Sequence, residues 1–288
     1  MDRITIVIIT RDRRYGLLST LDRLTALPER PKIVVVDNGS ADGTAAAVRA
    51  EYPEVRLVPL GRNRGVVARN IGVDLARTPY VAFSDDDSWW EPGALERAAG
   101  LFDAHPRLGL IAARVLVGKE RVPDPINVAM AASPLAVEPG MPGPSVLGFL
   151  ACGAVVRRQA FLDAGGFSSL LFFVGEERLL AYDLAAANWA RCYTPEVVAV
   201  HDPSAHRPPA HQRRRTELRN LLLTAWMRRP VAVALAKTAR MGREAVSDGD
   251  ARTALFAAVV RLPAALVRRR PVPRAVESGI RHMIEEWP

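Results

Sequence analysis

Cysteine is scarce in this chain. The two present in 288 residues, Cys152 and Cys192, form no C-x-x-C pair. That excludes a disulfide scaffold and a thiolate zinc site, and it suits a reducing compartment. Long apolar runs are missing as well. No uninterrupted stretch reaches the roughly 18 residues needed to span a bilayer. The apolar start, Ile4 to Ile9, is too short for a secretory leader and lacks a small-residue cleavage site. A soluble protein of the cytoplasm is expected, with peripheral contact at the inner face of the membrane as its one route to lipid. Three nucleotide and nucleophile signatures are also absent. The first strand runs into Thr10-Arg11-Asp12-Arg13 without G-x-G-x-x-G, and neither G-x-x-x-x-G-K-[ST] nor G-x-S-x-G occurs. A bound nucleotide must therefore be held by carboxylates, a metal and basic side chains.

Acidic residues are thin in one region only. Residues 201–288 carry 17 Lys+Arg against 8 Asp+Glu, whereas the first 200 hold 22 against 23. A basic balance invites nucleic acid, an anionic membrane or a phosphorylated substrate. No helix-turn-helix, zinc-finger or aromatic-basic motif accompanies it, so no nucleic-acid partner is expected.

Hydrophobic residues make up 49% of the chain, enough for a sizeable core. Ile4 to Thr10 reads as a strand, and Tyr15 to Leu27 has the spacing of an amphipathic helix. Lys32 to Val36 is too uniformly apolar to be half-exposed, which favours a buried parallel strand. Helix Ala45 to Glu51, strand Val55 to Leu60, helix Val66 to Ala76 and strand Tyr80 to Ser84 follow. Four strand–helix alternations predict a parallel α/β sheet with right-handed crossovers. Ligands of such sheets lie beyond the carboxyl ends of the strands. Both acidic clusters, Asp37 and Asp85-Asp86-Asp87, sit at such ends.

The second cluster organises the rest. Three adjacent aspartates repel one another and end a core strand that gains nothing from them. Hard Mg²⁺ or Mn²⁺ ions take one or two such carboxylates and leave positions for phosphate oxygens. Asp85 and Asp87, two apart on an extended segment, would face one side. A solvated turn capping the helix near Pro92, with Ser88 or Asp87 as N-cap, accounts for the same residues on composition alone.

The stretches Val35-Val36-Asp37-Asn38-Gly39-Ser40, Asn63-Arg64-Gly65 with Arg69-Asn70, and Phe83-Ser84-Asp85-Asp86-Asp87 before Pro92-Gly93 occur in order. Gly153 to Arg158 with Gly165-Gly166-Phe167 follows, and then Gly175-Glu176-Glu177. Together they resemble the family 2 glycosyltransferases of the GT-A fold, over about residues 3 to 205. The resemblance implies an α/β, mostly parallel Rossmann-like sheet flanked by helices over 1–205. Residues 206–288 then form a basic helical C-terminal extension. It implies an inverting transfer from a nucleoside-diphosphate sugar to a hydroxyl acceptor, assisted by Mn²⁺ or Mg²⁺. Asp37, Arg69, Asn70, Asp85 and Asp86 would hold the donor. Asp87 would ligate the metal, with Asp85 on ribose or metal and His201 completing the set. His206 and His211 are weaker candidates in the same loop.

Glu177 would be the general base, with Glu176 as the alternative. Cys152 and Gly153 would line the sugar pocket. Leu179 and Tyr182-Asp183 depart from the family's pattern after the two acids. Trp89 or Trp90 could stack on a sugar, the other being core.

The Pro-rich stretch from Arg121 to Pro144 rules out regular helix and suggests a loop over the acceptor. In the extension, helices are expected from Arg213 to Arg229, Val231 to Arg243 and Ala251 to Arg268, kinked at Pro263. Arg213 to Arg219, Arg215 among them, could reach the diphosphate. Arg268-Arg269-Arg270 beside Leu255 to Val260 could contact an anionic membrane or a second subunit of a homodimer. The acceptor class stays open between a lipid-linked glycan precursor and a natural-product scaffold. A silent sugar-nucleotide-binding protein and a nucleotidyltransferase are the alternatives.

Overall fold

The computed structural model describes residues 3–135, 137–204 and 209–286. The first half runs β1 (Ile4–Thr10), α1 (Arg14–Thr25), β2 (Lys32–Asp37), α2 (Thr44–Glu51), β3 (Arg56–Pro59), α3 (Val67–Leu75) and β4 (Tyr80–Asp85). Next come β5 (Ser88–Trp90), α4 (Ala94–Ala104), β6 (Leu108–Val117), β7 (Val122–Pro123), α5 (Pro125–Ala131) and β8 (Ala154–Arg157). The chain continues through α6 (Arg158–Asp163), α7 (Glu176–Ala186), β9 (Ala190–His201), α8 (Ala210–Arg228), α9 (Val231–Ser247), α10 (Gly249–Val267) and α11 (Arg274–Glu286).

Among the described residues one sheet of nine strands has the order β3-β2-β1-β4-β8-β6-β9-β5, with β7 paired to β6. The strands β1 to β4 are parallel, as their apolar runs predict. Both faces of β1 are covered. Ile4, Ile6 and Ile8 pack with Leu17, Leu21 and Leu24 of α1, while Val7 and Ile9 pack with Ala68 and Val73 of α3. A strand buried on both sides has no solvent face to make polar, which is why its sequence does not alternate.

The other half of the sheet is mixed. Strand β8 lies antiparallel between β4 and β6, β6 and β9 are parallel, and β5 is antiparallel to β9. Strands β5 and β8, three and four residues long, carry no distinctive run and were not legible, whereas a strand at Val197 to Val200, inside β9, was expected.

Three expectations need correction. The Pro-rich stretch does contain a helix, α5. Pro125 sits in its first turn, where a missing N–H costs nothing, and the Asp124 carboxylate caps Ile126 N at 2.9 Å. Ser88 and Asp87 do not cap α4; Gly93 does, and Ser88 opens β5. Trp90 is core, but Trp89 is covered by the Arg23 guanidinium 4.0 Å from its ring centroid.

The extension packs on the α/β layer. Leu222, Leu223 and Met227 of α8 share a core with Leu171 and with Leu179 of α7. Arg228 forks onto the Asp183 carboxylate, and Arg229 onto Glu277 at 2.8 and 3.0 Å. The departure at Asp183 thus has a structural use, anchoring α8 to α7. No helix of the described residues is long and apolar enough to cross a membrane.

Candidate active site

The parallel strands deliver their carboxyl ends to one edge. At β2, Asp37 is buried and its Oδ1 accepts from Ser40 N at 2.9 Å and Ser40 Oγ at 2.5 Å. That closes an Asx turn. Its Oδ2 has no hydrogen-bond partner among the described residues.

After β4 the chain turns instead of staying extended, so the three aspartates diverge. Asp85 pairs with Arg69 of α3. The Asp86 side chain goes to β1, where Thr10 Oγ1 donates to its Oδ2 at 2.9 Å. Burial, with the charges of Asp85 and Asp87 adding, raises its pKa to about 7 although Thr10 opposes the shift. Asp86 therefore supports the turn through Thr10.

Asp87 meets His201 because β5 and β9 pair antiparallel with Ser88 opposite His201. His201 Nε2 lies 3.4 Å from Asp87 Oδ1, and Ser204 N donates to Oδ2 at 3.2 Å. Burial opposes ionisation of Asp87, but His201, the Ser204 amide and Arg13 outweigh it and hold the pKa below the usual value.

The two glutamates open α7 behind Gly175, a left-handed N-cap with φ 83°. Glu176 is buried, with Oε1 3.9 Å from Arg69 Nη1, and its Oε2 has no hydrogen-bond partner among the described residues. Glu177 is half-buried, and its carboxyl is raised by burial above all. Arg69, buried itself, thus joins the end of β4 to the start of α7. Burial alone would lower its pKa, yet Asp85, Glu176 and Glu177 raise it and keep it a cation. The Cys152 thiol belongs to the same cluster. Burial pushes it well above its ordinary value, and the charges of Asp85, Asp87 and Glu177 all bear on it.

Three expected site residues are used elsewhere. Asn70 clamps the Gly165-Gly166-Phe167 turn, donating to Phe167 O at 2.9 Å and accepting from Phe167 N at 3.0 Å. A Cβ on Gly153 would stand 2.5 Å from Val115 Cγ2, so this glycine serves the packing against β6. Arg215 Nε donates to Asp250 Oδ1 at 2.6 Å, tying α8 to α10. His206 lies outside the described residues.

One residue was missed. The loop before α7 holds Phe172 and Val174 in left-handed conformations, φ 69° and 70°. Such geometry costs about 1–3 kcal/mol per residue and needs outside support. Asn220 of α8, buried, supplies it. Its Nδ2 is within 2.9, 2.7 and 2.7 Å of the Leu171, Phe173 and Val174 carbonyls. Arg219 Nη2 adds a bond to Leu171 O at 3.0 Å. Standing between Arg219 and the apolar run from Leu221, Asn220 carries no sequence signal of this role.

Glu176 gives a pH signature. Burial first and the Glu177 charge second raise its pKa to about 8, against the pull of Arg69. The folded value exceeds the unfolded one of about 4.3, so the folded chain holds this proton more tightly. Its contribution is fully present below pH 4.3 or so, and it is lost as pH rises through about 8. Glu176→Gln is therefore expected to flatten the decline in stability between pH 5 and pH 8, read from urea midpoints at both values.

Among solved structures, a mannosyltransferase from Pyrobaculum calidifontis in complex with GDP-Man and Mn²⁺ superposes with a TM-score of 0.60. It is 20% identical, and the match covers 99% of this chain and 86% of that one. TarS of S. aureus, residues 1–349 in complex with UDP-GlcNAc, gives 0.56 at 17% identity over 77% and 66% of the two chains. This sheet, with its carboxylates gathered at the β4 and α7 ends, is a GT-A fold.

In sequence, the N-acetylglucosaminyl-diphospho-decaprenol L-rhamnosyltransferase of Mycobacterium tuberculosis is 27% identical over 252 residues. That match spans 73% of this chain and 82% of the relative. The pre-mycofactocin glycosyltransferase of the same organism is 28% identical over 209 residues, 69% and 42% of the two chains. The model of glycosyl transferase family 2 matches residues 5–164, more than half the chain, and the protein belongs to that family.

Proposed function

We propose that this glycosyltransferase moves a sugar, with inversion, from a nucleoside-diphosphate donor to an acceptor hydroxyl. The observation that carries the reading is the buried Arg69, which joins Asp85 to Glu176. It fixes the donor-side carboxylates against the acceptor-side ones. In this reading Asp37 Oδ2 accepts from the base or ribose of the nucleotide. Asp85, neutralised by Arg69, closes the floor of the donor site beside Cys152.

Glu177 acts as the base. It takes the proton of the acceptor hydroxyl while that oxygen bonds to the anomeric carbon and the bond to the nucleoside diphosphate breaks. A carboxyl raised toward neutrality by burial is a stronger base than one in water. Its partial exposure is what Glu176 lacks, and an acceptor must reach the base.

The donor set also suits a divalent cation. Among the described residues no three His, Cys, Asp or Glu side chains form a closed cage. Asp87 and His201 make a two-ligand corner, which leaves open positions of the kind Mn²⁺ or Mg²⁺ fills with phosphate oxygens and water. Such an ion supplies Lewis-acid neutralisation of the departing diphosphate. The neighbours solved with GDP-Man and Mn²⁺ and with UDP-GlcNAc support this donor class. For the acceptor we favour a lipid-linked glycan precursor over a natural-product scaffold. The relative named for a decaprenol-linked acceptor matches over most of both chains, the pre-mycofactocin one over less than half of its own.

The test uses purified protein, Mn²⁺ and a panel of UDP-, GDP- and dTDP-sugars. Slow release of nucleoside diphosphate from one of them is expected, whereas pyrophosphate release would indicate nucleotidyl transfer. Binding with no turnover, even with cell extract as a source of acceptor, would indicate a silent binding protein. Mn²⁺ with the matching nucleotide should raise the melting temperature. His201→Ala should weaken that apparent metal affinity by about tenfold or more, as losses around metal sites do, read as a smaller Mn²⁺-dependent rise in melting temperature measured against the variant's own metal-free value.

A further inference from the structure

Helix α10 is built inside out. Its buried side is made of small residues, Ala251, Ala254, Ala258 and Ala265, and the larger Leu255 packs partly against the core shared with α8. Its large apolar residues point to solvent. Phe256 is 72% exposed, Val259 54%, Val260 61% and Val267 86%, with Pro263 and Leu266 exposed between them. At 3.6 residues per turn these six positions fall within one sector of the helix surface, about a third of its circumference. Arg252 lies in the same sector at the start of the stripe, and Arg268, Arg269 and Arg270 follow directly after the helix ends at Val267.

Along the stripe's own segment the charge has one sign, and the acid that precedes it, Asp250, is paired with Arg215. From Ala251 to Val276 the sequence has six arginines and no Asp or Glu. Arg252, Arg261 and Arg268 use Nη1 on the main-chain carbonyls of Ala245, Ala257 and Ala264. None of the three has a carboxylate within ion-pair distance among the described residues. A solvated helix face does not need six apolar residues in register, and a face this size calls for a cover.

A second copy is a poor cover. An antiparallel contact between two α10 stripes would set Arg252 of one chain toward the Arg268-Arg269-Arg270 end of the other, with no acid between Ala251 and Val276 to offset them. An anionic lipid surface satisfies both features at once: the apolar stripe enters the headgroup boundary, and the flanking guanidinium groups meet lipid phosphates. We infer that the outer face of α10 is a peripheral docking surface for an anionic bilayer. A lipid-linked acceptor would then be met at the surface that holds it. The docking itself depends on neither the donor nor the catalytic reading.

The test is co-sedimentation of the full chain with vesicles. One set is phosphatidylcholine alone and the other an equal mixture with phosphatidylglycerol, each at low and high salt. Binding to the mixed vesicles is expected, weak on phosphatidylcholine and reduced by salt. The triple variant Phe256→Ser, Val260→Ser, Val267→Ser should bind at least tenfold or so more weakly. Arg252→Gln with Arg268→Gln should lose roughly tenfold and most of the salt dependence. Both variants alter exposed side chains, so their circular dichroism and donor hydrolysis in solution should match the parent. If the triple variant misfolds, Phe256→Ser alone carries the test.

No binding by the parent chain, or equal binding by both variants, would overturn the inference. So would a dimer, seen by sedimentation velocity, that the serine variant dissociates. Failure of donor hydrolysis in the parent chain would instead overturn the transfer reading and leave the docking surface standing.

Discussion

Glu177→Gln is expected to lower kcat for transfer by about 10²–10⁴, the range that a positioned general base supplies. Donor binding should be nearly unchanged. The substitution keeps the shape of the side chain and removes only its capacity to take a proton. Glu177 is already raised by burial, so losing its charge relieves the fold, and the variant should melt no lower than the parent. Titration of the nucleotide in the presence of Mn²⁺ checks the binding half of the statement, and single-turnover transfer checks the chemical half. A variant with full activity would pass the role to Glu176, whose buried position makes it the harder group for an acceptor to reach. A variant that lost donor affinity in proportion to activity would mean that Glu177 binds the sugar and leaves the proton alone.

Arg69→Met should be the most destabilising single change in the catalytic half of the chain. The guanidinium is buried between Asp85 and Glu176, with Glu177 in electrostatic reach. Methionine fills similar space but leaves carboxylates without their counter-charge. Breaking a buried pair in this way costs about 3–5 kcal/mol, because the remaining charges are stranded. The sign of the pH dependence follows. Without the cation the carboxylates hold protons more tightly, so acid suits the variant better than base. The loss of stability relative to the parent should be larger at pH 8 than at pH 5, measured as urea midpoints. An equal loss at both values would mean that packing, and not charge, is what Arg69 supplies.

The parallel half of the fold was legible because strands buried on both faces leave long β-branched runs. Ile4 to Ile9 and Lys32 to Val36 could be little else. The antiparallel strands β5 and β8 are three and four residues long, too short to show a period. Asp37 and the Asp85-Asp86-Asp87 cluster stand out as carboxylates at strand ends, whereas His201 and the glutamate pair were reached through the family resemblance. What the sequence could not say was how a turn of two residues would send Asp85, Asp86 and Asp87 three ways.

The arginines misled for a related reason. A residue type suited to phosphates is equally suited to carboxylates, and only the fold shows that Arg215 meets Asp250. Asn70 was misplaced because an amide one residue from Arg69 on a helix points about 100° away from it.

The hydrogen bonds from Asn220 to the loop before α7 have a bearing on how such enzymes can be recombined. The helix that steadies the glutamates comes more than forty residues later, in a part of the chain that contributes nothing to the sheet. Hybrids joined near residue 205 would inherit a catalytic turn from one parent and its brace from another. They should work only where both parents agree on the amide and the bend it supports, so the interchangeable module is the whole chain through α8.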